Sequence, residues 1–341
     1  MAIAASGTVS VADIRTEYGL SGEVSFADLY RGGSYVRAKA ANNNGTNLAA
    51  SVPTSGTLTF DNFRGTAKGF KYTFTSGATN QNASTLFGDD YAVNYPKEIV
   101  INAGVELGAT STSEEALEIP SGSAGTITVI NNGTLSGAGG AAGQSGGDAF
   151  EAGVACTLVN NGIIRAGGGG GGTGGQGSYT SSSTSGDTGG FPWSGTRWRT
   201  YYFNSNLQIY WNYSHIGAFS GQGNLTSKTV GNATYYRRGY MWTDANNENY
   251  YQVRRTLYST VYTSGGSGGV GQGYNQSATS GSGGGTNAGS GGSGASFGQT
   301  GNGGVNGNYT NGVGGGASGK YIRGISFVTY TNNGSNLGGT A

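Results

Sequence analysis

Cysteine and histidine are almost missing from this chain of 341 residues, which has one of each, Cys156 and His215. A disulfide framework and the usual Cys/His zinc sites are thereby excluded. Charge is also scarce. Lys and Arg number 18 and Asp and Glu 17, leaving a net +1, so no general electrostatic attraction to nucleic acid or to an anionic membrane surface is expected. Aliphatic and phenylalanine residues are thin, which argues against a large conventional core, and no run approaches the roughly 18 apolar residues of a spanning helix. The first residues, MAIAASGTVSVADIR, reach Asp13 and Arg15 before any long apolar run and lack a basic start, so a secretory leader is not expected.

Glycine is what the chain has instead: 70 residues, about three times the usual share. Two tracts, 133 to 177 and 264 to 319, hold 42 of them. Neither has a Gly-X-Y period and proline is rare, which rejects a collagen triple helix. A flexible linker fits poorly, because strand-like punctuation such as ACTLVNNGIIRAGG (155 to 168) runs through the tracts. Glycine runs such as Gly167 to Gly172 can adopt an extended helix with three residues per turn and pack side by side, since no Cβ holds the chains apart. Each buried N–H must then bond to a neighbouring segment, which requires a bundle.

Elsewhere the pattern is β. FKYTFT (70 to 75), EIVINAGVEL (98 to 107) and GTITVINNGTL (125 to 135) carry strand signals. In residues 1 to 66, SFADLYRGG and TFDNFRG form a weak internal repeat. Ser10 with Asp13 and Ser25 with Asp28 have capping-box spacing, which predicts brief helical turns ending at Gly19 and Gly32. Between the units the chain reads as extended, with a turn at Asn44-Gly45.

Three pieces share one pattern of Asn-Asn-Gly, an aliphatic residue, then glycine: NNGTLSGAGG (131 to 140), NNGIIRAGGGGGG (160 to 172) and ASGKYIRGISFVTYTNNGSNLGG (317 to 339). Together with VADIRTEYGLSGEVSFADLYRGGSYV (11 to 36), they make the chain resemble the glycine-rich receptor-recognition proteins of tailed bacteriophages, the tail-fibre and tail-tip adhesins. The resemblance implies a virion protein, attached to other tail proteins through residues 1–66, with a polyglycine II bundle and receptor-contacting loops. The expected fold is mainly β with a polyglycine II helix bundle, a small N-terminal β-rich attachment region and little α-helix. The expected divisions are 1–66 for attachment, 67–132 for a β-structured neck, 133–186 with 264–341 for the bundle, and 187–263 for an aromatic-rich inserted distal domain.

That insertion carries all four tryptophans, Trp193, Trp198, Trp211 and Trp242, half of the tyrosines, and an excess of arginine. Tyr, Trp and Arg dominate binding hot spots because they bury large rigid area and keep polar tips. Alternation in LQIYWNY and YYQVRRTLYSTVY separates a packing face from an outward one, and the latter strand is expected to pair with ATYYRRGYMW across a turn at Asp244 to Asn249. The candidate receptor-binding residues are Tyr210, Tyr236, Arg238, Trp242, Tyr250, Arg254 and Tyr258. Aromatic faces suit sugar rings and arginines suit carboxylate or phosphate, so a host outer-membrane protein and a surface polysaccharide remain alternative receptors.

Catalytic residues, metal ligands and a cofactor are not expected. A Ser/His/Asp triad would have to use His215, and a glycosidase pair would have to come from Asp89, Asp90, Glu114, Glu115 and Glu118, which read as ordinary solvated acids. Cys156 reads as a small buried strand residue. What the resemblance implies is a non-enzymatic adhesin that binds a host surface receptor during adsorption; binding of nucleic acid is not expected. A structural tail or baseplate protein, its aromatic segment packed on another virion protein, is the alternative; self-association into a homo-oligomer is left open.

Overall fold

The computed structural model describes residues 2–184, 198–203, 206–211, 214–219, 227–243, 245 and 249–341. It divides into two compact units, Met1–Gly177 with Ser264–Ala341, and Ser178–Thr263.

The first unit is built on a parallel β-solenoid. Its long face stacks Phe70–Phe74, Lys97–Ile101, Ile127–Asn131, Cys156–Asn160 and Val328–Asn332 in parallel. A second face stacks Ala78–Thr79, Glu106–Gly108, Thr134–Ser136, Ile163–Arg165 and Ser335–Leu337. A third runs from Gln81–Asn82 through Leu117–Ile119, Phe150–Ala152 and Lys320–Arg323 to Gly339–Thr340. Each coil contributes one strand to each face. Period-2 alternation turns Ile99, Ile101, Val129, Leu158, Leu107, Leu135, Ile164, Leu117, Phe150 and Ile322 into one buried cluster.

The Asn-Asn-Gly repeats make the turns from the first face to the second. Asn131, Asn160 and Asn332 each accept a hydrogen bond on Oδ1 from the glycine N–H two residues on, at 3.2, 3.2 and 3.3 Å. Their side chains also bond up the stack, Asn131 Nδ2 donating to Asn160 Oδ1 (2.8 Å) and Asn160 Nδ2 to Asn332 Oδ1 (2.9 Å). The second asparagines form a parallel ladder, Asn333 to Asn161 and Asn161 to Asn132, both at 2.9 Å. Glycine completes the motif because a Cβ on Gly162 would lie 2.0 Å from the Gly133 carbonyl oxygen, and one on Gly334 equally close to that of Gly162.

The glycine tracts leave the solenoid where the second face gives way to the third. The segment 167–175 is their axis. Gly167 and Gly170 donate to Gly147 and Gln144; Gly168, Gly171 and Gly174 to Gln272, Gly269 and Gly266; Gly169, Gly172 and Gly175 to Gln299, Asn302 and Val305. Its carbonyls accept with the same step of three, from Gly140 and Gly143, from Ala295, Gly292 and Gly289, and from Gly319, Gly316 and Val313. Donors and acceptors along the segment thus both repeat every third residue. Close approach enforces the composition: a Cβ on Gly169, Gly170, Gly171 or Gly172 would stand within 2.0 Å of a neighbouring carbonyl oxygen.

Residues 1–66 differ from the β-rich expectation. Among them the strand is Thr46–Asn47, and the remaining regular structure is helical: Val11–Tyr18, Phe26–Leu29 and the 3-10 turn Phe60–Phe63. The capping boxes prevailed over extended propensity because Ser10 and Ser25 satisfy the orphan N–H groups of the first turns. The first helix ends at Gly19, at φ 68°, as its spacing predicts. A small core of Ile3, Val9, Ile14, Tyr18, Val36, Val52 and Phe63 closes this region. Asp90 ties it to the solenoid, accepting from Arg37 Nε (2.9 Å), the Ala40 N–H (2.7 Å) and Asn43 Nδ2 (2.9 Å). Residues 150–165 and 320–340, expected within the glycine bundle, form strands of the later coils instead, because their alternating apolar residues continue the solenoid core.

Replacing Gly171 by alanine should destabilise the first unit by about 3 kcal/mol or more, the upper range for overpacking. Gly314→Ala, where a Cβ meets nothing within 4 Å, should be neutral or stabilise by about 0.4–1 kcal/mol. Thermal unfolding of the two variants checks the contrast.

Candidate functional site

The second unit is an antiparallel sheet in the order Ser214–Phe219, Asn206–Trp211, Trp198–Phe203, Asn249–Thr263, Ala233–Thr243, Ser227–Val230, with Gly177–Thr184 also paired to Asn249–Thr263. The two long strands pair as their sequences suggest, Ala233 opposite Leu257 and Tyr236 opposite Arg254. Asp244 and residues 246–248 of the expected turn lie outside the described residues, as does Trp193.

Three of the nominated residues come together on this ribbon. Tyr236 and Arg254 are direct cross-strand partners, and the Tyr236 hydroxyl is hydrogen-bonded to Tyr258. That bond raises Tyr236 above the ordinary tyrosine value. Tyr258 is exposed, Tyr236 and Arg254 are half-buried, and Arg238 is exposed. Tyr210 sits opposite Arg199 and His215 in the backbone register, and Trp242 opposite Tyr250. Val253 is fully buried and Ala233 and Tyr235 nearly so, supplying the packing side of the ribbon.

Simple alternation does not carry through the whole ribbon. The register shifts between Arg237 and Tyr240 and again between Tyr240 and Trp242, and between Ile209 and Tyr210 on the neighbouring pair. Each β-bulge reverses which face the following residues occupy. Tyr240, between two of these shifts, is 58% exposed, with its hydroxyl 2.6 Å from Thr243 Oγ1. Sequence reasoning left it out of the candidate set. The available signal was Gly239, since an isolated glycine within a strand pattern marks a bulge.

The nominated carboxylates have structural surroundings. Asp90 is fully buried beneath its three donors, which hold it below the ordinary carboxylate range despite burial. Asp89 accepts from Asn42 Nδ2, and Glu118 from Asn82 Nδ2. Glu115, 8% exposed, is ion-paired with Arg323, which also reaches Glu151 and, at 3.4 Å, Asp148. Burial pushes Glu115 up to about 7 against the pull of Arg323, and the neighbouring acids add to the rise. Cys156 is buried at the start of its strand, where loss of water raises its thiol to about 11. His215 lies on Ser214–Phe219, paired with Tyr210.

A family model described as phage tail fibre adhesin Gp38 matches residues 69–341. The chain is similar to the gp37-gp38 adhesin tip complex of the bacteriophage S16 long tail fibre, at 16% identity over 99% of this chain and 100% of that one, with a TM-score of 0.38. None of the curated proteins matches it.

Glu115 holds its proton more tightly in the folded chain than in the unfolded one, where 4.5 is its ordinary value. Its contribution to stability is therefore fully present below 4.5 and is lost as pH rises through about 7. Glu115→Gln should flatten this part of the pH dependence, so that the Tm difference between wild type and variant shifts in the variant's favour from pH 4.5 to pH 8. A pH series of melting curves reads the result.

Proposed function

Because the chain belongs to the phage tail fibre adhesin family, we propose that the Tyr236, Arg254 and Tyr258 face of its second unit contacts the host receptor. The protein is a tail fibre adhesin of the virion tail, and adhesion to the host is its work. Tyr210, Arg238, Trp242 and Tyr250 complete the proposed contact set. The observation that carries the assignment is the convergence of two tyrosines and an arginine on one ribbon with an exposed edge of aromatic surface. Such groups offer flat apolar area together with fixed donors, which suits a protein loop or a glycan ring equally.

The remaining parts have supporting roles in this reading. The glycine array acts as a polyglycine II bundle, a reading supported by its three-residue hydrogen-bond repeat. Residues 1–66 attach the chain to another tail protein, and 187–263 form the receptor-reading insertion. Catalysis has no part in it: Asp90 and Glu115, the most buried of the nominated acids, are committed to donors and ion pairs, Asp90 to residues 1–66 and Glu115 to Arg323 of the solenoid. Several copies on one particle would convert modest single-site affinity into firm attachment.

Labelled full-length protein should adsorb to susceptible cells. A chain in which 187–262 is replaced by a short Gly-Ser link should not, while its first unit keeps its Tm. Arg254→Ala and Tyr258→Ala should each weaken adsorption about thirtyfold or more, the range of an interface hot spot. Equal adsorption by the shortened chain would move the contact to the first unit. Particles that adsorb normally with the shortened chain would favour a structural role for the segment.

A further inference from the structure

The sequence holds seven Asn-Gly pairs, at 44–45, 132–133, 161–162, 302–303, 306–307, 311–312 and 333–334, all within the described residues. In such a pair the side-chain amide is open to attack by the next backbone nitrogen, because glycine has no Cβ to shield that nitrogen. The attack needs the nitrogen free, since an N–H held in a hydrogen bond must first leave its acceptor. Six of the seven are held. Gly45, Gly133, Gly162 and Gly334 donate to the Oδ1 of the asparagine two residues earlier, at 2.7, 3.2, 3.2 and 3.3 Å. Gly312 donates to Asn306 Oδ1 at 2.9 Å, and Gly307 to the Thr310 carbonyl at 3.0 Å. The Gly303 N–H meets no acceptor among the described residues, and both Asn302 and Gly303 are exposed.

The fold sets this difference. Along 301–308, Gly301, Gly304 and Gly307 donate to Gly316, Val313 and Thr310, while Asn302, Val305 and Asn308 donate to Ser293, Ser290 and Asn287. The third direction, that of Gly303 and Asn306, has no accepting segment among the described residues. A Cβ on Gly303 would touch the Val313 carbonyl oxygen at 3.6 Å and Gly314 Cα at 3.8 Å and nothing nearer, so the nitrogen stands open on its outer side. The Asn302 side chain is placed for the second half of the reaction, because its Nδ2 lies 2.7 Å from Ser293 Oγ. That hydroxyl accepts from the planar amide, and it can give up its own proton once the amide carbon is tetrahedral and the nitrogen has become basic. The amide nitrogens of Asn161 and Asn333 instead meet asparagine Oδ1 atoms, and that of Asn44 meets the Thr85 carbonyl, acceptors with no proton to give.

We propose that Asn302 is a self-modification site, at which the chain converts its own asparagine to aspartate and isoaspartate through a succinimide. The Gly303 nitrogen loses its proton to solvent base and attacks Asn302 Cγ. A C–N bond forms, the Cγ–Nδ2 bond breaks, and the amide nitrogen leaves as ammonia with a proton from Ser293, which water restores. A second water opens the ring at either carbonyl, giving aspartate or isoaspartate, and nothing is oxidised or reduced. Isoaspartate lengthens the main chain by one carbon between positions 302 and 303. Gly304, Val305 and Gly307 then fall out of step with Val313, Ser290 and Thr310, the acceptors that bind this segment into the glycine array. Aspartate keeps the spacing. The array therefore weakens with the age of the protein, at a rate set by one exposed pair.

The test ages purified full-length protein from pH 6 to pH 9, digests it, and maps the products by electron-transfer fragmentation, which locates isoaspartate residue by residue. Position 302 should convert about fivefold faster or more than any of the other six asparagines, the factor for freeing one hydrogen-bonded N–H. Its rate should rise with pH, because the attacking nitrogen must be deprotonated. In denaturant, where the fold no longer separates them, the seven rates should converge. Gly303→Ala and Ser293→Ala should keep the wild-type Tm and slow conversion at 302. The isoaspartate form, separated by chromatography, should melt below both unaged protein and Asn302→Asp, which should match each other. A native rate at 302 no higher than at the other pairs, or an order that persists in denaturant, overturns the site. Conversion of Ser293→Ala at the wild-type rate overturns the part given to the hydroxyl, and an isoaspartate form that melts with unaged protein overturns the effect on the array.

Discussion

Hydrogen bonding between backbones that approach too closely for a Cβ is the constraint on which the first unit depends. In the segment 167–175 successive N–H groups point to different neighbours with a step of three, and successive carbonyls accept from three more segments. This arrangement offers little apolar area to bury. Its stability comes from near-complete pairing of peptide groups, which offsets the large conformational entropy that glycine loses on folding. A side chain at any of Gly169 to Gly172 would remove the approach on which its neighbours' bonds depend, whereas Thr173, whose side chain is exposed, is accommodated.

The solenoid applies the same constraint at its corners and adds an apolar interior. At three of the turns asparagine side chains close on their own glycine, and two of them bond to the next coil, so local turn geometry and coil-to-coil register are set there by one residue type. Buried amides of this kind are favourable when every group is paired. Leu, Ile, Val and Phe are scarce in the chain, yet the alternating strands gather those present into a continuous core. A rigid platform thus arises from a composition that would not support a conventional globular domain of this length.

Much of this was legible residue by residue. The capping boxes at Ser10 and Ser25 announced helical turns, and Gly19 the end of the first; the second stops at Leu29, short of the expected Gly32. Period-2 runs marked the solenoid strands and the pairing of the two long strands in the second unit. The extent of the solenoid was not legible, because Phe150, Ile164 and Ile322 are separated in sequence by glycine tracts whose composition dominates any window containing them. Tyr240 was missed for a related reason: a β-bulge beside Gly239 resets the alternation from which faces are inferred, and its position depends on cross-strand pairing. The third capping turn, at Thr59, was visible as a repeat, but not that its Phe60 meets Val11 and Phe26 around one opening.

The sequence by itself determined what each segment could do. Glycine runs allowed contact closer than a side chain permits, Asn-Asn-Gly specified a turn, and Tyr with Arg concentrated binding chemistry in one stretch. Tertiary structure decided which segments became neighbours: which carbonyl each glycine N–H reaches, which asparagines stack, and that Tyr236, Arg254 and Tyr258 share a face. The reason is physical. Propensity and periodicity act over a few residues, whereas these contacts join positions far apart in the chain, and only the stacked fold supplies the partners that complete their hydrogen bonds.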